Sequence, residues 1–534
     1  MTKFFMCQET ALQFCSFMSE KKRRSRFSIL MFIMCMVAIV GAGCSSSDVG
    51  DYSYPDSIYE EYIDDENDFY IRTNGYTVTA PVQDEHNVSL EIDMDTRTIQ
   101  ALSRINFTNR SSKPMDTIVL RVFFNAFQPD VSPRPYTSDL EWRLNLAGSD
   151  RGFLSIEYVS INSEILEYEM DGSVLVLYLE EPLEAGASAI LRLQYSAYVP
   201  MLGALIGGNN YAMWLGMFLP VLSVYGEDGW HTDAFYPVGT PFFIETANYH
   251  VEITTPLGYT VVGTGLRTEE HIYDADITIT HFSANMVRDF AFAVLSPHYE
   301  HSSIETESGV IINFYFNSEI VGNRADEILD FAKISMEHFE KFVGAYPFGQ
   351  VTIIETDMLR DSIAFSQMIF VDTRQLRHGD LTELSSGLGN QWFASIVGTN
   401  RITQPWLDEG LTRFVQSAIA NYTQELMLEN IRRIYFDIAA YAEFTLSDGL
   451  WAYDNRNDFF VAHRYRAMVM LHQLEFLMGS EAFWSFINQY YQIFSFRVAT
   501  VDDFIDMAEK IHGESLQEFF DNWMNQKTLP PLRS

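Results

Sequence analysis

SGLGNQWF (386–393) and PWLDEG (405–410) are the two stretches that decide the fold of this chain. Eighteen residues separate Asn390 in the first stretch from Glu409 in the second. Ser386 lies four residues before Asn390, so on a helix their side chains share one face. If this stretch is helical, the Ser386 hydroxyl and the Asn390 amide therefore lie side by side.

This framework resembles the M1 family of aminopeptidases, gluzincins whose pattern runs H-E-x-x-H-Q-W-F and then W-L-N-E-G. In that family two histidines and a second-helix glutamate hold zinc, while the first glutamate activates the bound water. Glu409 matches the third ligand. Ser386 and Asn390 stand at the positions of the two histidines, and Gly387 stands at the position of the general base. The resemblance therefore implies the family's fold without its zinc-dependent hydrolysis.

Two further family landmarks are altered. Ala364 falls where the resemblance places the glutamate that binds the substrate amine. Arg464 falls where it places the tyrosine that stabilises the transition state. Tyr465 is one position away, which rotates a side chain by about 100° on a helix, so we expect no substitution by it. Gly387 and Arg464 are thus the degenerate catalytic positions, and no catalytic residue is intact.

The metal position is reduced to one ligand. A catalytic zinc needs about three protein ligands and an open position, which Glu409 alone does not provide. We therefore expect no cofactor, with zinc only if Glu383 or His378 has been recruited. An oxygen-rich site of Glu383, Asn390 and Glu409 would suit Ca²⁺ or Mg²⁺ instead. The remaining alternative is that Glu409 hydrogen-bonds in the core between the two helices.

Three function classes follow. The favoured one is a catalytically inactive M1-like protein, a pseudoenzyme that binds a peptide or protein or serves as a scaffold. The second is an active M1-type metallopeptidase with an altered metal site. The third is a hydrolase that uses Ser386 as nucleophile, although no base lies in the same motif. Phe365 and Trp392 are candidate cleft residues, and core packing is the alternative for Trp392.

The motif helix carries two glycines. Gly387 and Gly389 each cost about 1 kcal/mol relative to alanine inside a helix. We therefore expect this turn to be distorted, or to start at a cap formed by Ser385 or Ser386.

Residues 1–44 are typical of a secretory signal. A basic run at 21–26 precedes an uncharged apolar run at 27–40. Small residues precede Cys44, as in a bacterial lipobox, so we expect lipid attachment at Cys44. Without cleavage the apolar run would remain as an N-terminal anchor. Both outcomes predict a protein tethered to the extracytoplasmic side of the cell membrane.

Charge and cysteine usage exclude several classes of partner and site. The formal net charge is −37, which disfavours nucleic acid and anionic membrane surfaces. All four cysteines lie at or before residue 44, so the exported part has no disulfide or thiolate metal site. Residues 45–75 are rich in Ser, Asp, Glu and Tyr, which indicates an acidic disordered linker.

The rest of the chain predicts an α+β protein of two domains. Residues 76–305 contain short β-branched and aromatic runs, typical of an antiparallel β domain. Residues 306–534 carry helical apolar stripes at 324–343, 459–478 and 501–511. The M1 resemblance implies a β saddle followed by a mainly helical, thermolysin-like domain. We expect the apolar insertion at 203–220 to be a loop packed into the domain interface, with ligand or membrane contact as the alternative.

Overall fold

The computed structural model describes residues 62–63, 69–73, 76–79, 83–128, 131, 141, 151–201, 205–274, 276–358, 362–420, 424–439 and 443–532. The predicted signal, Cys44 and most of the predicted linker lie outside them. Among the helices in these ranges, none is both long enough and apolar enough to cross a membrane. The chain divides into a unit of residues 1–60 and 72–76 and a unit of residues 61–71 and 77–534. Every element after residue 83 belongs to the second unit.

Strands dominate the described chain up to residue 305. They are β1 (Tyr62–Ile63), β2 (Phe69–Thr73), β3 (Tyr76–Thr79), β4 (Asp84–Asp93), β5 (Thr98–Thr108), β6 (Met115–Arg121), β7 (Phe153–Ile161), β8 (Glu164–Ile165), β9 (Glu167–Asp171), β10 (Val174–Leu183), β11 (Ser188–Tyr198), β12 (Ile206–Gly208), β13 (Ala212–Leu215), β14 (Val221–Leu222), β15 (Tyr225–Gly226), β16 (Gly229–Trp230), β17 (Ala247–Pro256), β18 (Thr260–Gly263), β19 (Leu266–Asp274), β20 (Ile277–Val287), β21 (Phe292–Leu295) and β22 (Tyr299–Glu305).

The largest sheet has eight strands in the order β19-β20-β17-β4-β5-β11-β7-β8. Its neighbours pair antiparallel, except for the parallel pair β17 and β4. Period-two alternation builds it: in β5, Ile99, Ala101, Ser103 and Ile105 are buried, while the residues between them face solvent. The predicted antiparallel β domain is confirmed.

The apolar insertion at 203–220 is not a simple loop. β12 and β13 pair with each other, and β13 also pairs with β21, in a four-stranded sheet. Trp214 is fully buried there because the sheet covers it. The loop prediction is therefore wrong for 206–215; an all-apolar run has no alternation that would reveal a strand buried on both faces.

The second half of the chain adds six strands and eleven helices within the described residues. The strands are β23 (Ile311–Asn317), β24 (Gln350–Thr356), β25 (Ile363–Phe365), β26 (Met368–Asp372), β27 (Gly398–Thr399) and β28 (Val498–Ala499). The helices are α1 (Ser318–Val321), α2 (Ala325–Phe342), α3 (Thr373–His378), α4 (Thr382–Asn390), α5 (Trp406–Ala420), α6 (Gln424–Ala439), α7 (Arg456–Phe460), α8 (Ala467–Met478), α9 (Ser480–Phe494), α10 (Val501–His512) and α11 (Gln517–Met524).

A mixed five-stranded sheet supports these helices. Its order is β22-β23-β24-β26-β25, with β23, β24 and β26 running parallel. Sequence patterns missed this sheet after residue 309. The domain boundary predicted at 305/306 falls at the turn of the β22–β23 hairpin.

The helical stripes at 324–343 and 501–511 appear as α2 and α10. The third stripe is divided: α7 passes through a π-helical turn at Val461–Arg466 into α8. The observed order, a β-rich half followed by a mainly helical half, confirms the predicted α+β class.

Candidate functional site

The motif helix α4 starts earlier than expected. It begins at Thr382, whose backbone N–H donates to Asp380 Oδ1 at 3.0 Å. Ser386 therefore lies inside the helix, and the predicted cap at Ser385 or Ser386 is wrong. The helix ends at Asn390 and continues into a π-helical turn at Gln391–Ile396. The predicted distortion thus lies just after the two glycines.

The glycines of α4 allow close packing. A Cβ atom at Gly387 would lie 2.8 Å from Ile369 Cγ2, on strand β26. A Cβ atom at Gly389 would lie 2.5 Å from Phe339 Cζ, on helix α2. Both separations are shorter than a carbon–carbon contact allows. The position where a general base would stand is therefore filled by a neighbouring strand.

The other two motif positions are held by the facing helix α5. Ser386 Oγ donates to Thr382 O and accepts from Gln416 Nε2, both at 3.2 Å. Asn390 Oδ1 accepts from Thr412 Oγ1 at 3.1 Å. Within the described ranges, no histidine hydrogen-bonds Ser386, so a nucleophilic Ser386 has no base beside it.

Glu409 is held by an arginine. Arg464 Nε lies 2.6 Å from Glu409 Oε2, and its Nη1 lies 3.1 Å from Glu383 Oε1. The guanidinium carbon stacks 3.8 Å from the ring centre of Phe460. The side chains of Arg464, Glu409 and Glu383 are 13%, 8% and 15% exposed. One guanidinium thus bridges two buried carboxylates, including the one predicted as a metal ligand.

Electrostatics keeps this arginine charged. Burial by itself would lower the pKa of Arg464, but the carboxylates of Glu383 and Glu409 outweigh it and raise that pKa. The positive charge beside Glu409 is therefore permanent. Phe460 covers the guanidinium face, which is a favourable cation–π arrangement.

A second ion pair lies next to the first. Arg401 Nε is 2.6 Å from Asp408 Oδ2, and Arg401 Nη2 is 4.0 Å from Glu409 Oε1. Burial raises the pKa of Asp408 to about 7, with Arg401 acting in the opposite direction. Arg456 Nη2 adds a contact of 3.5 Å to Glu383. Three carboxylates therefore face three guanidinium groups.

This donor set does not fit zinc. Glu409 is already neutralised by Arg464, and a metal at its carboxylate would meet a fixed positive charge. The hydroxyl of Ser386 and the amide of Asn390 are poor zinc donors and already make hydrogen bonds. The structure brings Glu383 and Glu409 together, as the oxygen-rich alternative expected, but around a guanidinium.

The remaining predicted residues lie elsewhere. Ala364 is on β25, paired with Ile369 of β26. Phe365 is buried and packs against Phe370, with ring centres 5.3 Å apart. Trp392 is fully buried and its Nε1 donates to Gly344 O at 2.8 Å. The two candidate cleft aromatics are therefore core residues.

The third-helix residues divide between two sites. Tyr465 lies under Arg413, whose guanidinium carbon is 5.4 Å from the ring centre. His463 Nε2 is 2.8 Å from Tyr453 Oη. Burial lowers the pKa of His463 to about 3, so this imidazole is neutral.

Sequence reasoning singled out Arg464 as a degenerate catalytic position and missed its ion pairs with Glu409 and Glu383. It also missed Arg401 and Arg456. One general signal existed: a buried glutamate without metal ligands requires a counter-ion, although the sequence does not say which arginine supplies it.

Comparisons with known proteins agree on one family. The Peptidase family M1 domain matches residues 383–523. Glutamyl aminopeptidase of Bitis rhinoceros is 23% identical over 229 residues, 41% of this chain and 22% of its own length. Human Aminopeptidase Q is 22% identical over 411 residues, 68% of this chain and 40% of its own length. This chain therefore spans less than half the length of these relatives.

Solved structures share the fold. The M1 zinc metallopeptidase of Deinococcus radiodurans superposes with a TM-score of 0.62 at 15% identity, covering 85% of this chain and 97% of that one. A mutant of that metallopeptidase bound to a Tyr-Ser-Ala substrate gives the same TM-score. These neighbours have the same two-part architecture of a β-rich half and a helical half.

Proposed function

This chain belongs to the M1 peptidase family, and we propose that it binds a peptide or protein without hydrolysing it. We further propose that it is exported and membrane-tethered through Cys44 or an uncleaved N-terminal anchor. The observation that carries the first proposal is the 2.6 Å contact between Arg464 and Glu409. An arginine charge has taken the place beside Glu409 that a metal would need.

The loss of hydrolysis is supported at each step of the family chemistry. Among the described residues no pair of histidines accompanies Glu409, and Ile369 packs against the position of the general base. A hydrolase needs an activated water, and the carboxylates of this site that could serve as its base, Glu383 and Glu409, are both paired with Arg464. The combined replacement leaves a stable fold with a charged, self-neutralised pocket.

The ligand class follows from the architecture. A structural neighbour holds a tripeptide substrate, Tyr-Ser-Ala. In this chain the three arginines near Glu409 already pair with its own carboxylates: Arg401 with Asp408, Arg456 with Glu383, and Arg464 with Glu383 and Glu409. A peptide carboxylate would have to compete with these carboxylates, and an amine anchor is missing at Ala364, so the peptide proposal rests on the shared fold.

The test uses the purified full-length chain with fluorescein-labelled Tyr-Ser-Ala and mixed aminoacyl substrates. We expect saturable peptide binding by anisotropy and no release of free amino acid above the blank. Turnover that Glu409→Gln abolishes would contradict the proposal. Absence of binding by this and by a mixed tetrapeptide pool would remove its peptide part.

Membrane tethering has its own test. Cells expressing the full chain are labelled with a palmitate analogue, beside a Cys44→Ser variant. We expect the wild-type protein to be labelled and recovered in the membrane fraction. The Cys44→Ser variant should lose both the label and the membrane recovery. Membrane recovery without label at Cys44 would favour the N-terminal anchor, and recovery in the cytosol would contradict both forms.

A further inference from the structure

A cluster of side chains of the types that ligate metals lies on strands β19 and β20, more than 100 residues before the motif helix in the sequence. Glu269, His271 and His281 each offer a ligand atom, and these atoms all lie within 4.8 Å of one another. We propose that this cluster is a binding site for a divalent transition-metal ion of the zinc, copper or nickel class. The proposal is independent of the proposed function.

The sheet places these side chains on one face. Glu269 and His271 are two residues apart on β19, and His281 on β20 pairs directly with Glu269. Alternate residues of a strand point to the same side, and directly paired residues do so as well. On the other side of His281, Glu252 of β17 is its paired neighbour. Two imidazoles and two carboxylates thus stand together across three hydrogen-bonded strands.

The separations are close to those of a metal site. His271 Nδ1 lies 3.5 Å from Glu269 Oε1, and His281 Nδ1 lies 3.9 Å from Glu252 Oε2. Ligand atoms around a tetrahedral zinc are about 3.3 Å apart, given bonds of about 2.0–2.1 Å. Closing the cluster on an ion therefore requires separations of up to 4.8 Å to shorten by up to about 1.5 Å.

Two features show that the ligands are poised and adjustable. His271 Nδ1 is shielded from solvent yet makes no hydrogen bond, despite its carboxylate neighbour. The side chains of His271 and His281 are 41% and 31% exposed, which leaves room for rotation. Their rings lie nearly parallel, at 18°, with centres 5.8 Å apart. The backbone is fixed by the sheet while the side chains can turn to converge.

The donor set selects the class of ion. Imidazole nitrogen with carboxylate oxygen suits zinc, copper and nickel, whereas magnesium and calcium prefer oxygen alone. The ion would also tie β19, which is the edge strand of the eight-stranded sheet, to its neighbours. An edge strand has hydrogen-bonded support on one side only, so a cross-strand ion adds a second restraint.

The experiment is a calorimetric titration of the purified full-length chain with zinc chloride after chelator treatment. Four variants accompany it: the double variant His271→Asn/His281→Asn, the single variant Glu269→Gln, the motif variant Glu409→Gln, and the control His301→Asn, a strand histidine on another sheet. We expect one zinc ion bound by the wild type and by the control. The double variant should bind at least 100-fold more weakly, and Glu269→Gln at least tenfold more weakly.

The outcomes separate this proposal from the proposed function. No zinc bound by the wild type would overturn this inference alone. Zinc that stays bound in the double variant but is lost in Glu409→Gln would place the metal at the motif pocket and overturn both. If the double variant is unfolded, as judged by its thermal midpoint without metal, zinc binding by the surface variant Glu269→Gln still tests the proposal: unchanged affinity would contradict it.

Discussion

The two carboxylate-bearing sites of this protein obtain positive charge in opposite ways. At Glu409 the cation is part of the chain, because Arg464 lies 2.6 Å away and both side chains are almost fully buried. At Glu269 the neighbours are imidazoles, and the carboxylate is 66% exposed. The first site is closed by its own arginine, while the second has ligands and no built-in cation.

Burial explains the difference. A carboxylate removed from water must be paired, because the desolvation cost of an unpaired buried charge amounts to several kcal/mol. A family position that loses its metal therefore needs a replacement cation if its glutamate remains. An exposed carboxylate carries no such requirement, so its partner can come from solution.

Removal of the internal cation should give the largest effect. Arg464→Ala leaves Glu409 and Glu383 buried without their shared partner, and we expect a loss of about 3–5 kcal/mol in the free energy of unfolding. Urea unfolding of the full chain measures it. Arg456→Ala is the matched control, because Arg456 is 34% exposed and contacts Glu383 at 3.5 Å; it should cost about 0–1 kcal/mol. Equal losses of unfolding free energy in Arg464→Ala and Arg456→Ala would contradict the view that Glu409 depends on a buried arginine.

The motif site is closed by side-chain packing as well as by the ion pairs of Arg464. Gly387→Ala places a methyl group against Ile369, and we expect a loss of about 1–2 kcal/mol after allowing for the helix preference of alanine. Ser385→Ala on the same helix should change the free energy of unfolding by less than about 0.5 kcal/mol. A stabilised Gly387→Ala protein would show that this pocket has free space.

Buried imidazoles should make the fold sensitive to acid. Burial lowers the pKa of His86 to about 3, against an ordinary value of 6.5. Between these values the unfolded chain binds more protons than the folded one, so His86 contributes full stability above pH 6.5 and loses it as pH falls toward 3. His86→Phe should reduce that loss by up to about 1.4 kcal/mol per pH unit.

Chemical unfolding at pH 7, 6 and 5 checks this slope. Tyr249→Phe is the matched control, because Tyr249 stacks on His86 with ring centres 4.7 Å apart. Burial raises the pKa of Tyr249, so its phenol does not titrate in this range. An unchanged slope in His86→Phe would mean that acid sensitivity arises elsewhere.

The smallest effect is expected at the exposed site. Without metal, Glu269→Gln should change the free energy of unfolding by less than about 0.5 kcal/mol, because surface substitutions away from special features rarely do more. With zinc at 100 times its dissociation constant, the wild type should gain about 2.7 kcal/mol, and the variant less at the same zinc concentration. A large metal-free effect would show that Glu269 is already a structural partner.

The sequence predicted the architecture better than the site's contacts. Strands such as β5 follow strict alternation, and α2 and α10 follow helical stripes, so local patterns were sufficient. The strands at 206–215 were missed because an apolar run buried on both faces has no period. The π-helical turn at Val461–Arg466 was missed because it depends on tertiary packing around the helix.

The sequence predicted some features of the candidate site and not its ion pairs. The resemblance to the M1 motifs singled out Glu409 and the altered positions, since that comparison depends only on register. The bridge from Arg464 to Glu383 could not be read, because the two residues are far apart in the chain and meet only when three helices pack. The cluster on β19 and β20 had a sequence signal, an alternating Glu269 and His271 with His281 on the next strand, which only the pairing register makes meaningful.

One measurement tests the central claim, that a guanidinium has replaced the metal at Glu409, most directly. Crystals of the full-length chain grown with zinc are measured on both sides of the zinc absorption edge, so that anomalous scattering locates every bound ion. The account predicts no peak at Glu409, whose carboxylate is paired with the Arg464 guanidinium. It predicts a peak between His271 and His281. A zinc peak at Glu409, with Arg464 turned away, would contradict it.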